Sequence, residues 1–284
     1  MGIAAQVLAV GAVVWLAAVL LLWVSQERLI FPGAGTERRL DGAVAAESGF
    51  AIATTTTRDG LRIAFLFAPP RPGMPVIIHF HGNGEIASDP VWSMRRFAAR
   101  GYGVVLAEYR GYGGNPGSPS EAGILEDGRA QVQWAATQWP GSAEVFMGES
   151  LGSAVAIALA TETDPIALVL DSAFTSAWEL GQRSLPLFPV RLLLRHPLDS
   201  LARIGRVRAP ALVIAGEADR IVPPEMGRRL LAAEPCAGSE GVFLPGVQHL
   251  VLENDPTGRA EAAVLAFLER LPEAGRASCP AGRS

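Results

Sequence analysis

With 284 residues, 49% of them apolar and 18% charged, the chain has a globular composition and the length for one large domain or two small ones. Its net charge of −4 and lack of a basic block argue against a nucleic-acid partner. All 24 basic residues are arginine, which excludes chemistries built on a lysine: a P-loop, a Schiff base, a Ser–Lys nucleophile pair.

Residues 2–24 carry no charge, and Gln6 is their one clearly polar member. As a helix they would extend about 35 Å, enough to cross a bilayer. A cleaved signal peptide would have a basic start and a shorter apolar stretch, so residues 1–25 read as an uncleaved transmembrane anchor. Arg28, Arg38 and Arg39 follow the span and nothing basic precedes it, which places the main domain in the cytoplasm by the positive-inside rule. Residues 26–48 read as a polar, glycine-dotted connector. Two runs, 50–57 and 61–68, joined at Arg58-Asp59-Gly60, predict an antiparallel hairpin. Strands and helices then alternate: strand 76–80, helix 90–100, strand 103–107, helix 120–139, strand 144–147, helix 150–161, strand 167–170. An irregular insert covers 172–207, followed by strand 211–215, helix 224–233, strand 241–244 and helix 257–271. The alternation predicts an α/β fold, a mostly parallel sheet flanked by helices, over one catalytic domain from 49 to 272. Residues 273–284 read as a disordered tail. Cys236 and Cys279 are too few for a disulfide framework and read as unpaired thiols.

The strand-to-helix junction near residue 150 carries the chemistry. Gly148-Glu149-Ser150-Leu151-Gly152 is a Gly-x-Ser-x-Gly nucleophile elbow, in which a strained turn lifts the serine hydroxyl clear of the sheet. Glycine is required on both sides because a side chain there would strike the neighbouring strand and helix. A serine hydroxyl needs a general base. Of the four histidines, His249 sits in a loop at the carboxyl edge of the predicted sheet, where it can reach Ser150. His196 reads as a surface residue, and His79 as a buried structural one. Asp219, in a structured Asp-Arg-Ile-Val-Pro-Pro loop, is the favoured acid to hold the base, with Asp171 as its rival. The order Ser150, Asp219, His249 suits an elbow in such a sheet. Backbone N–H groups for a developing oxyanion are expected from Leu151 and, in the turn His81-Gly82-Asn83-Gly84, from Asn83.

These residues resemble the α/β-hydrolase superfamily. More closely they resemble its membrane-anchored serine hydrolases, which include lysophospholipases, monoacylglycerol lipases and acyl-protein thioesterases (protein depalmitoylases). The resemblance runs from about Gln26 to Leu271. It rests on Glu27-Arg28-Leu29-Ile30-Phe31, His81-Gly82-Asn83-Gly84, Tyr109-Arg110-Gly111-Tyr112-Gly113 and Gly117-Ser118-Pro119-Ser120-Glu121. The elbow, Ser172-Ala173-Phe174-Thr175-Ser176, Asp199-Ser200-Leu201 and the loops of Asp219 and His249 complete it. It implies the same roles for Ser150, Asp219 and His249, and hydrolysis of an acyl ester or thioester without metal or organic cofactor. Two departures bear on the pocket wall: Asn115 stands where relatives often carry serine, and apolar Leu250-Val251-Leu252 follows His249.

The insert 172–207 reads as a cap. Trp178, Leu185, Leu187, Phe188, Val190, Leu192, Leu193 and Leu194 could line an acyl-chain slot or simply cover the sheet. Arg110 and Glu121 read as structural polar contacts. Three other functions compete. A serine aminopeptidase would need an acid for the substrate amine, which Glu149 could supply. A metallohydrolase could use His79 and His81 but has only Asn83 and Glu85 nearby. A non-catalytic, membrane-tethered binding module would be expected to have lost a triad member, and none is missing.

Overall fold

A computed structural model describes residues 2–271 and Cys279. The chain opens with helix α1 (Ile3–Ile30) and the short α2 (Gly42–Glu47), then the antiparallel pair β1 (Ala51–Thr56) and β2 (Arg62–Ala68). There follow β3 (Val76–Phe80), α3 (Val91–Arg100), β4 (Gly103–Ala107), α4 (Glu121–Gln138), β5 (Glu144–Glu149), α5 (Leu151–Ala160) and β6 (Ala167–Asp171). The insert holds three short helices, α6 (Ala177–Ser184), α7 (Val190–Leu193) and α8 (Leu201–Ile204). The chain closes with β7 (Ala211–Gly216), α9 (Pro224–Ala233), β8 (Glu240–Leu244), α10 (Val251–Asn254) and α11 (Arg259–Glu269).

The eight strands form one sheet in the order β1-β2-β4-β3-β5-β6-β7-β8, parallel from β4 through β8. Strands β3, β4, β6 and β7 are buried along their whole length, as expected when helices cover both faces. Successive residues feed opposite cores: Ile78 and Phe80 join the side chains of α4, α5 and α9, whereas Ile77 joins those of α3 and α11. Local signals set the helix ends. The Ser120 hydroxyl caps α4 by accepting from Gly123 N–H at 3.1 Å, and Gly101, at φ 100°, ends α3. The chain runs from β3 outward to β4 and then back across to β5. That reversal opens a crevice at the carboxyl ends of β3 and β5, where such sheets carry their sites.

Three expectations change. The predicted anchor is part of a longer helix, since α1 continues to Ile30 and Gln26 is buried. The connector is packed structure rather than a loose link. Phe31 joins the core, Gly33 N–H donates to the Asn83 carbonyl at 3.1 Å, and Gly35 N–H donates to the Gly111 carbonyl at 2.8 Å. The two cysteines are paired: Cys236 and Cys279 form a disulfide with Cα atoms 4.3 Å apart. Their 43-residue separation offers no spacing signal from which that pairing could be read. Apart from Cys279, the expected disordered tail lies outside the described residues.

A bridge closing a loop of that size stabilises mainly by restricting the unfolded chain, by about 2–4 kcal/mol. Dithiothreitol or Cys279→Ser is therefore expected to lower the Tm by several degrees, measured by scanning calorimetry. Unchanged melting, with free thiols detected before reduction, would show the cysteines unpaired.

Candidate active site

The junction of β5 and α5 is as tight as the elbow motif requires. Ser150 has φ 50° and ψ −111°, a conformation that costs a non-glycine residue free energy and must be enforced by its surroundings. A Cβ on Gly152 would stand 1.9 Å from the Phe80 carbonyl oxygen, and one on Gly148 would stand 2.4 Å from the Gly152 carbonyl oxygen. Only glycine lets α5 press this closely on the end of β3. The Ser150 N–H donates to the Asp171 carbonyl at 3.0 Å, and the Ser153 hydroxyl donates to the Ser150 carbonyl at 2.6 Å. Leu151 then begins α5, where a backbone N–H has no intrahelical acceptor.

The turn after β3 is held from every side. Its Asn83 carbonyl accepts from Tyr112 Oη at 2.9 Å and from Gly33 N–H, and the Asn83 amide donates to the Ile30 carbonyl at 3.2 Å. The Gly82 N–H donates to Glu85 Oε2 at 2.6 Å. His81, wholly buried, lies 2.7 Å from Glu108 Oε1 through Nε2 and 2.7 Å from the Gly82 carbonyl through Nδ1. Burial alone would depress the His81 pKa, but the charge and hydrogen bond of Glu108 more than offset it and hold it above its ordinary value. Glu108, Glu85, Tyr109 and Tyr112 thus position this turn. In the sequence the two tyrosines stand in the family motif, whereas Glu108 carries no motif of its own.

His249 and Asp219 meet across two loops, with Nδ1 to Oδ2 at 2.7 Å. The other oxygen of Asp219 accepts from the N–H groups of Ile221 and Val222 at 2.8 and 2.9 Å, so the carboxylate is fixed toward the imidazole. Asp171, the rival acid, is engaged elsewhere. It accepts from Val251 N–H at 3.0 Å, Leu252 N–H at 2.8 Å and the Ser172 hydroxyl at 2.9 Å. It therefore anchors the segment after His249, where Leu250 is held at φ 58°. Ser150, Leu151, Asn83 and His249 share the wall of one cavity of about 580 Å³. Its other walls come from the insert (Phe174, Leu180, Leu185, Phe188, Leu193) and from α1 (Leu22, Trp23, Gln26, Leu29, Ile30).

Several residues considered from sequence prove to lie outside that cavity. His196, expected at the surface, is buried instead: its ring meets Phe31 edge-on and Nδ1 accepts from Glu121 N–H at 3.3 Å. Arg110 pairs with Asp127 and Asp59, and Glu121 with Arg203 at 2.6 Å, both structural. Asn115 departs from the family pattern without touching the cavity, because its amide bonds both backbone groups of Ala64 in β2. Trp178 stacks under the guanidinium of Arg191 rather than lining the slot.

Glu149, beside the nucleophile in sequence, points away from the cavity and is 1% exposed. It meets Glu85 and Glu253, the three carboxylates having oxygens within 4.8 Å of one another; such a trio could hold a cation. Without one, burial foremost and then the neighbouring Glu253 push the Glu149 pKa up to about 8. His79, 3.2 Å away, is pulled down to about 4 by burial. At neutral pH the pair is therefore a carboxylic acid beside a neutral imidazole, not an ion pair.

Comparisons with known proteins place this geometry among relatives. Residues 72–198 match the family described as serine aminopeptidase S33. The uncharacterized protein Rv2307c of Mycobacterium tuberculosis is 39% identical over 264 residues, an alignment covering 89% of each chain. The lysophosphatidylserine lipase ABHD12 of Danio rerio is 31% identical over 213 residues, covering 64% of this chain and 55% of that one. Among solved structures, the Pyrococcus furiosus esterase Pf2001 superposes with a TM-score of 0.70 at 19% identity, over 84% of this chain and 99% of that one.

A carboxyl group whose native pKa is raised stabilises most below its unfolded value of 4.5, and that contribution is lost as pH rises through about 8. Glu149→Gln copies the protonated form. It is expected to leave Tm unchanged near pH 5 and to raise it above wild type near pH 9, by calorimetry across that window. Parallel Tm curves for the two proteins would show that Glu149 is already ionised in the folded state.

Proposed function

Because the chain belongs to the α/β-hydrolase family, we propose that it is a serine hydrolase cleaving carboxylic esters or thioesters of lipid-like acyl substrates, tethered to a membrane by α1. The observation that carries the reading is the hydrogen-bonded Asp219–His249 pair sharing one apolar-walled cavity with a strained Ser150. Ser150 Oγ attacks the acyl carbonyl while His249 Nε2 takes its proton, and Asp219 holds the Nδ1–H tautomer and stabilises the imidazolium. Negative charge on the carbonyl oxygen falls to the N–H groups of Leu151 and Asn83. Collapse expels the alcohol or thiol, protonated by His249. Water, deprotonated by the same imidazole, then releases the acid from the acyl-enzyme.

The anchor supports the lipid-like substrate. Helix α1 has a mean hydropathy of 2.7 over its most apolar stretch, none of which is buried. The described activity of the Danio rerio relative, a lysophosphatidylserine lipase, supports the same substrate class. Against a peptidase, despite the name of the matching family, none of the described cavity-lining residues is acidic, and Glu149 turns away. Sidedness rests on opposed signals. Arg28, Arg38 and Arg39 favour the cytoplasm, whereas the Cys236–Cys279 bridge favours an oxidising compartment.

In an assay of the full-length protein on p-nitrophenyl esters, acyl thioesters and amino-acid anilides, esters and thioesters are expected to turn over and anilides not. Ser150→Ala should lower ester turnover by roughly 10³-fold or more. Ester turnover that survives Ser150→Ala would refute the assignment, and preferred cleavage of anilides would favour the peptidase.

A further inference from the structure

The cap and the amino-terminal helix are fastened to each other along about 12 Å of the helix axis, from Trp15 to Trp23 and beyond. At the far end, Trp15 Nε1–H donates to the Leu187 carbonyl at 3.2 Å, and the Trp15 ring stacks with Phe188 at 6.2 Å between centroids. At the near end Gln26 bridges to the last residue of α7 and the turn that follows it. Its amide donates to the Leu193 carbonyl at 3.3 Å and its Oε1 accepts from Arg195 N–H at 2.7 Å. Arg195 completes the clasp with a hydrogen bond to the Trp23 carbonyl at 3.0 Å, a guanidinium 4.9 Å over the Trp23 ring and an ion pair with Glu27 at 3.3 Å. The cavity leading to Ser150 opens at the near fastening, where Leu22, Trp23, Gln26, Leu29 and Ile30 of α1 form one wall.

Trp15 sits in the middle of the uncharged run of α1, so whatever it touches lies at the depth of that run. The cap tip touches it, and the tip is apolar toward the outside: Leu187 is 79% exposed and Leu192 is 85% exposed. Large apolar side chains left open beside an uncovered apolar helix mark a surface that meets lipid rather than water.

Resting on the serine-hydrolase reading above, we propose that α1 is a wall of the acyl-binding cavity as well as a tether. The cap tip at Leu187 and Leu192 dips into the same leaflet, and the ligand is the acyl chain of a single-chain lipid ester drawn sideways from that leaflet. The hydrocarbon chain passes from bilayer to cavity without crossing water, which keeps its transfer near neutral in hydrophobic free energy. The polar end, with its ester, is left at the level of Gln26 and Arg195, toward Ser150.

The test uses full-length protein reconstituted in phosphatidylcholine vesicles, with monopalmitoylglycerol in the bilayer and p-nitrophenyl butyrate in the water. Leu22→Trp fills the cavity from the α1 side. It is expected to lower the ratio of long-chain to short-chain turnover by about tenfold or more, with the loss growing as the acyl chain lengthens. Leu187→Asp, on the exposed tip, is expected to lower the same ratio while the melting temperature holds. A fluorophore on Leu187→Cys should shift to the blue on reconstitution and be quenched by a lipid carrying a nitroxide on its acyl chain. Unchanged ratios with an unquenched fluorophore would overturn the inference and leave the hydrolase standing. Wild-type protein that cleaves neither ester would instead overturn the hydrolase reading itself.

Discussion

The contact on which the site depends is the approach of Gly152 to the last carbonyl of β3. With no Cβ at 152, α5 starts hard against Phe80, and this forces Ser150 into its positive φ. The same contact brings the first turn of α5 beside the turn at His81-Gly82-Asn83. Leu151 and Asn83 therefore line one cavity although 68 positions separate them in sequence. A methyl group at 152 would push the helix away and open both features together. Strain in the serine is thus held by backbone packing beneath it, not by any side-chain bond of its own.

Around this core, two aspartates at adjacent strand ends divide the work that sequence reasoning had left between them. Asp219 spends one oxygen on the N–H groups of its own loop and the other on His249. Asp171 spends both on the backbone and hydroxyl groups that set the path of the chain past His249. Burial, joined by the nearby Glu149, pushes the Asp171 pKa up to about 6 against the opposing pull of its backbone and hydroxyl donors. A similar balance governs Glu149, Glu85 and Glu253, where burial first and then the neighbouring carboxylates raise each pKa above its ordinary value.

Much of this was legible in the sequence, for stated physical reasons. Fully buried strands are uninterrupted apolar runs, and the elbow is written in two obligatory glycines. The strands and helices of the alternating region fall within two residues of their expected ends. What escaped has a common cause: it depends on contacts between distant segments. His196 looks exposed beside Arg195 and Pro197, yet Phe31 from the connector covers it. Glu108 carries no motif and acquires its part only when β4 lies beside β3. Cys236 and Cys279 give no register, and the docking of Gln26 onto the cap joins residues 169 positions apart.

The central claim is that Ser150 is made nucleophilic by the Asp219–His249 pair. The most direct measurement is the rate at which a fluorophosphonate modifies the folded, full-length protein, with the adduct located by mass spectrometry. The account predicts a single adduct on Ser150, forming quickly in wild type, still formed in Asp171→Asn, and slowed by orders of magnitude in Asp219→Asn. No adduct, or one whose rate ignores Asp219→Asn, would contradict it.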